Sequence, residues 1–203
     1  MNFKILIALF FCTQLGWSQE EEEKNTGGIK EFELFFEIGY AQPIPYGDNF
    51  INKGYDLSGT IDVGVTTAFF YNTTLHSDIN ITSGDVTRPD LIGNIRSANF
   101  TRVSLGLGYP LEVLDRLRFL PSIHAGYLKI GQNTDNGEFR DDGIFIAIET
   151  ALNYRIIKWI DISLGVRNHF DFLSIDAPSE TGSFFDSAQS IYPFLGLRFR
   201  VGK

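Results

Sequence analysis

The 203-residue chain has a single cysteine, Cys12, and a single methionine, Met1. Both fall within an N-terminal stretch that reads as an export signal. The remainder is therefore expected to lack disulfides and any thiolate-based metal or redox site. Cationic residues are also scarce. Seventeen Lys and Arg stand against 25 Asp and Glu, a net charge of −8, which argues against nucleic acid as a partner, since a phosphate-binding surface needs excess positive charge. Beyond residue 18 no apolar run has the length of a membrane-spanning helix, and no amphipathic helical period is sustained. Glycine-rich phosphate loops, His/Cys metal spacing and EF-hand patterns are missing too. The acidic turn at 133–138 lacks the ligand spacing of a calcium loop, so no metal or cofactor is expected.

What the chain has in quantity is aromatic residues, 14% of the total, and 20 glycines, a composition that leans towards strands. Its N-terminus divides into two parts. Lys4, the apolar run Ile5 to Cys12, and Gly16-Trp17-Ser18 make a signal peptide over residues 1–18, with cleavage expected after Ser18. Bulky Phe10 and Phe11 disfavour Cys12 as a lipidation site. Residues 19–30, with Glu20 to Glu23 and Gly27-Gly28, read as a flexible acidic tail, and 31–203 as one domain.

That domain alternates. From Phe32 to Tyr40 the even positions are apolar, while Glu33, Glu37 and Gly39 take odd ones, so the two sets fall on opposite sheet faces. The pattern recurs seven more times. Leu57, Ile61 and Val63 oppose Asp56, Ser58 and Asp62, and Ile79 and Ile81 oppose His76, Asp78 and Asn80. Val103, Leu105 and Leu107 oppose Arg102 and Ser104, and Ile123 and Tyr127 oppose Arg118, Ser122 and His124. Ile144 to Tyr154 oppose Glu149 and Asn153, and Ile160 to Val166 oppose Asp161, Arg167 and His169. Leu195, Leu197, Phe199 and Val201 oppose Gly196, Arg198 and Arg200. Long connections at 42–53, 85–98, 132–142 and 174–189 alternate with short ones at 72–74, 110–116 and 155–158. This spacing predicts an all-β fold, an eight-stranded antiparallel up-and-down β-barrel; the features that follow make it a transmembrane β-barrel, with the short connections as periplasmic turns and the long ones as extracellular loops.

Alternation alone does not say which face is inside, but the distribution of residues does. Aromatics occupy the ends of the apolar face. Phe32, Tyr71, Tyr109, Phe119, Tyr154 and Phe199 fall near the short turns, and Tyr40, Tyr55, Tyr127 and Phe170 near the long loops, as in the girdles of membrane barrels. Gly39, Gly64, Gly106, Gly126, Gly165 and Gly196 recur on the polar face, where small residues leave room for long side chains. A soluble, lipocalin-like ligand carrier is the alternative. Its expected Gly-x-Trp near the first strand and its disulfides are absent, and Trp159 sits at a short turn.

The terminal Gly196-Leu197-Arg198-Phe199-Arg200-Val201 resembles the assembly signal of outer-membrane barrels, with Gly202 and Lys203 as an extension. On these features the chain resembles the small eight-stranded OmpA/OmpX-like outer-membrane barrels over nearly its whole mature length. Its Ser18-Gln19 junction looks like those of Bacteroidota. The resemblance implies export to the outer membrane, contact with its lipid, recognition by the barrel-assembly machinery through Gly196, Phe199 and Val201, and a monomer.

An eight-stranded barrel is filled by its own side chains. A lumenal ionic network of Glu33, Glu37, Asp62, Arg102, Arg118, Glu149, Arg167, Arg198 and Arg200 is expected, with the glutamates of the first strand facing the arginines of the last. The expected role is structural or surface-interacting, not enzymatic. A partner would bind at loops 85–98 and 174–189, where Phe184 and Phe185 either anchor it or pack over the mouth. A small-solute pore and a lipid-modifying enzyme are the alternatives. His169 and Asp171 are the only catalytic candidates, because His124 lies two residues from Ser122 with no orienting carboxylate evident from spacing.

Overall fold

A computed structural model describes residues 33–68, 70–134, 137–175 and 182–201. Eight antiparallel strands form the barrel: β1 (Leu34–Ala41), β3 (Tyr55–Ala68), β4 (Thr74–Val86), β5 (Ile95–Gly108), β7 (Leu117–Thr134), β8 (Gly137–Ile157), β9 (Ile160–Ser174) and β10 (Ser187–Val201). Each pairs with its neighbour in sequence, and β1 returns to pair with β10, from Leu34 opposite Val201 to Ala41 opposite Phe194. That closing pair leaves the sheet without a free edge through the wall of the barrel.

Two short strands supplement the eight. β2 (Ile44–Tyr46) lies against the long-loop end of β10. β6 (Leu111–Leu114) continues the line of β5 beyond Tyr109-Pro110 and pairs with β7. Strands also reach further into the connections than the turn-rich composition of those connections predicts. The third long loop is largely the paired ends of β7 and β8, which run in register from Asp142 opposite Lys129 to Gly137 opposite Thr134. Asn133, Gly137, Asp141 and Asp142 of that connection therefore lie in paired strand rather than in open loop.

The exposed side chains decide which face looks outward. Ile38, Ile61, Val63, Ile81, Leu105, Leu107, Ile123, Ile148, Leu164 and Leu195 are each half or more exposed, on a wall that carries almost no charge at this level. Water would penalise such a belt by about 25 cal/mol per Å² of apolar surface, whereas hydrocarbon would not. The inside is the reverse: Arg102, Glu149, Asp161, His169, Asp171 and Arg198 are all buried. A soluble carrier would present polar residues outward around an apolar cavity, so this polarity is that of a transmembrane barrel.

Among the girdle aromatics, Tyr40, Tyr109, Tyr127 and Tyr154 are exposed on the outer face, and Phe119, Phe170 and Phe199 are half-buried in it. Phe32 lies outside the described residues, as does the side chain of Tyr71. Tyr55 corrects the expectation. It is buried inside the barrel with Leu57, while Asp56 and Ser58 face out. The cause is a bulge: Leu57 opposes Gly84 and Thr60 opposes Thr82, so Ser58 and Gly59 together face Ser83. One inserted residue reverses the side-chain parity below it, which simple alternation does not anticipate.

Candidate functional site

The lumen holds the chain's buried chemistry, and it is layered. Working up from the short-turn rim, Glu33 accepts hydrogen bonds from Arg118 Nη1 at 2.8 Å and Nη2 at 3.4 Å, and pairs with Arg200 Nη1 at 3.0 Å. Arg198 donates from Nε to Glu37 at 2.9 Å, from the position directly opposite in the closing strand pair. The guanidinium groups of Arg198 and Arg200 lie 4.4 and 5.1 Å from the ring centroid of Phe35, adding cation–π attraction to the ion pairs. Glu37 also accepts from the Thr66 hydroxyl, which contacts His76 Nδ1 at 3.1 Å.

A denser layer follows. Arg167 donates to Glu149 and lies 3.5 Å from Asp62, whose carboxylate also accepts from Asn80. His124 bridges this layer, with Nδ1 3.2 Å from Asp78 and Nε2 2.9 Å from the Ser122 hydroxyl. Two strands supply the three residues. Ser122 and His124 share the inward parity of β7, and Asp78 projects inward from β4, across β5. Gly106 and Gly64 make room, because a Cβ at either position would collide with His124 or Asp78. This is the orienting carboxylate that spacing could not supply. Asp78 is 44 residues before Ser122 in the chain, and only the barrel register brings them together.

The Ser122–His124–Asp78 connectivity is that of a nucleophilic triad. Its setting is enclosed. Ser122, His124 and Asp78 are each no more than 7% exposed, and the Nε2 side also faces Glu149 at 4.0 Å.

The pair expected to be the catalytic candidate, His169 and Asp171, does not form a couple. Arg102 holds Asp171 bidentately along one guanidinium edge, Nη2 donating at 2.6 Å and Nε at 3.3 Å, with the pair almost fully buried. His169 instead stacks against Phe145, with centroids 5.2 Å apart, and packs on Tyr192 at 4.6 Å. Its Nδ1 has no hydrogen-bond partner among the described residues. The carboxylate is engaged by a permanent cation, and the imidazole lies in an aromatic slot.

Above that layer the interior turns apolar. Phe50, Ile51, Tyr55, Leu57, Phe100, Leu128, Ile130, Phe145 and Leu173 form a buried cluster, with Ile92, Phe184 and Phe185 packed against it. A one-turn helix at Phe50–Gly54, capped by the Asn49 side chain on the Asn52 amide at 3.0 Å, lowers Phe50 and Ile51 into the mouth. Phe185 meets Phe50 at 5.4 Å. Of the two roles open to Phe184 and Phe185, packing over the mouth is the one the structure displays. The bulge in β3 belongs to the same device, since it turns Tyr55 and Leu57 inward.

No protein-family model matches the chain, and no curated protein matches it in sequence. Its fold is nevertheless shared by solved structures. Neisserial surface protein A superposes with a TM-score of 0.58 at 10% identity, over 85% of this chain and 99% of that one. The attachment invasion locus protein Ail of Yersinia pestis, in complex with the heparin analogue sucrose octasulfate, gives 0.54 at 15%, over 85% and 100%. A major outer membrane protein from Thermus thermophilus gives 0.54 at 10%, again over 85% and 100%. At these identities the likeness establishes the fold, an eight-stranded barrel of the outer-membrane type.

Proposed function

We propose that the chain is a non-enzymatic, monomeric outer-membrane barrel, closed to solutes, that acts through the loops displayed at its long-loop end. One observation carries this reading: the interior is occupied at every level, by ion pairs below and by an aromatic cluster above. A filled barrel is a rigid pedestal, and the parts left to vary are the loops it presents. Residues 85–98 and 174–189 are where an extracellular partner would bind, with Leu91 and the Arg88–Asp90 pair exposed on the first of them. Placement in the outer membrane rests on the apolar belt, the structural neighbours and the expected signal peptide. Origin in Bacteroidota rests on the Ser18-Gln19 junction alone.

Single-channel recording in planar bilayers tests the closure. The purified barrel is expected to be electrically silent across a wide voltage range, and steady conductance steps would replace this reading with a small-solute pore. A lipid-modifying hydrolase is the second reading, favoured by the Ser122–His124–Asp78 geometry. A fluorophosphonate probe decides it: Ser122, walled in by its neighbours, is expected to stay unlabelled in the folded barrel.

A further inference from the structure

The outer wall is not uniformly convex. Where the last strand closes on the first, a groove of about 490 Å³ opens outward, lined by residues of β1, β3, β9 and β10. Its floor is the rung in which Gly39 and Gly196 stand directly opposite each other. Lumenal crowding does not call for glycine at the first of these. A Cβ at Gly39 would meet nothing nearer than 3.4 Å, whereas at Gly106 or Gly126 it would collide with His124 or the Val103 carbonyl. Glycine inside a strand often marks a bend or the close approach of another body to the backbone. The sides of the groove are Ile38 paired with Leu197 and Tyr40 paired with Leu195, rungs about 7 Å apart along the strands. Ile61 and Ile162 flank them, and none of the side chains along the groove is charged. Its upper end is set by Gly59. The Tyr40 ring lies where a Cβ of residue 59 would be, and its hydroxyl donates to Gln42 Oε1 at 3.3 Å. The ring is thereby drawn towards the long loops, which leaves the recess below it open and puts a phenol and an amide at its rim.

We propose that this groove seats one acyl chain of an outer-leaflet lipid, with the polar end of that lipid at Tyr40 and Gln42. The inference rests on the membrane placement of the apolar belt and is independent of any role for the loops. Position, shape and chemistry argue for this occupant. The groove lies within the belt of Ile38, Ile61 and Leu195, so what surrounds it is hydrocarbon. Left empty, it would forfeit dispersion contacts along both sides, and water would find no polar partners on its walls. Its volume is within the range of about 300–1,000 Å³ of sites that hold small ligands. A second copy of the barrel fits less well. A stable protein interface takes about 20–30 residues a side, and a stiff convex wall does not enter a recess lined by eight. A flexible methylene chain does, and it lies along the strands as the two rungs require. The polar rim matches the ester and headgroup end of such a lipid, since an amphipathic tyrosine ring belongs at the membrane–water interface.

The test places the full barrel in dimyristoyl phosphatidylcholine nanodiscs with a trace of phosphatidylcholine bearing a diazirine in one acyl chain. After illumination the adducts are mapped by mass spectrometry. Leu105 and Leu107, exposed in the belt on β5, report ordinary lipid contact. Adducts on 38–40 and 195–197 are expected to exceed those on 105–107 about fivefold. Filling the groove with Ile38→Trp should bring the two segments to parity, and Leu195→Phe serves if that variant does not fold. Equal labelling in the unchanged chain, or an excess that survives a folded filling variant, would overturn the proposal and leave the membrane reading intact. Absence of adducts on Leu105 and Leu107 as well would overturn both. Dimers in native mass spectra, with the groove shielded from the probe, would give the place to a second copy and likewise overturn the assignment to lipid.

Discussion

At the scale of single residues, the lumen illustrates how a buried charge is tolerated. Arg102 and Asp171 are nearly inaccessible, and each supplies the counter-charge the other needs. Removing one partner strands the other, so Asp171→Ala should destabilise the barrel by about 3–5 kcal/mol, measured by urea unfolding in micelles. Replacing both residues with leucine should recover much of that loss, because the cost lies in the orphaned charge more than in the missing attraction. On the outer wall the deciding variable is depth. Leu105→Arg, in the apolar belt of β5, should cost about 2–4 kcal/mol, whereas Asn99→Arg on the same face near the long-loop end should cost about 0–1. Equal costs would mean that the belt does not lie in hydrocarbon. Much of this was legible in the chain. Alternation names the lumenal charges, and their opposite signs on the first and last strands foretell Glu37 facing Arg198. The partners of Arg102 and His124 were not legible, because each sits across the barrel or on a strand beyond the nearest neighbour.

At the scale of elements, the informative departure is the β3 bulge. Its sequence, Leu57-Ser58-Gly59-Thr60, continues the apolar–polar rhythm closely enough to hide an extra residue. The signal available was Gly59, since a glycine within a strand often marks a bulge or a close approach. Here it marks both, because the Tyr40 ring lies where a Cβ of residue 59 would be. Gly59→Val should displace Tyr40 and lower the thermal midpoint of unfolding, followed by loss of the near-ultraviolet tyrosine dichroism. Gly93→Ala has open space around the site but a φ of 94°, so it tests backbone strain without the collision. If both substitutions lower the midpoint equally, packing of Tyr40 on Gly59 contributes nothing. The helix at Phe50–Gly54 was not legible either, and for Phe184 and Phe185 the chain left open whether they anchor a partner or pack over the mouth, as they do here. Their apolar residues are few and scattered among turn formers, and only the open mouth beneath them explains why they bury.

At the scale of the whole molecule, stability comes from continuity. Every barrel strand is paired on both sides along its central length, and the interior is filled by charge below and rings above. A sheet closed in this way resists dodecyl sulfate until heated, so the unboiled chain should migrate as a compact band and the boiled chain as an extended one. A chain lacking residues 195–203 should show no such shift, because β1 then loses most of its partner. This has a temporal side as well. Leu34 is matched with Val201, so the first strand to emerge during synthesis is completed by the last. Until the C-terminus is free the nascent sheet carries an exposed hydrogen-bonding edge at each end, and long sequence separation makes the final pairing slow. The interval between synthesis of Leu34 and its pairing with Val201 is therefore when the chain is most exposed to proteases and to other unfinished sheets.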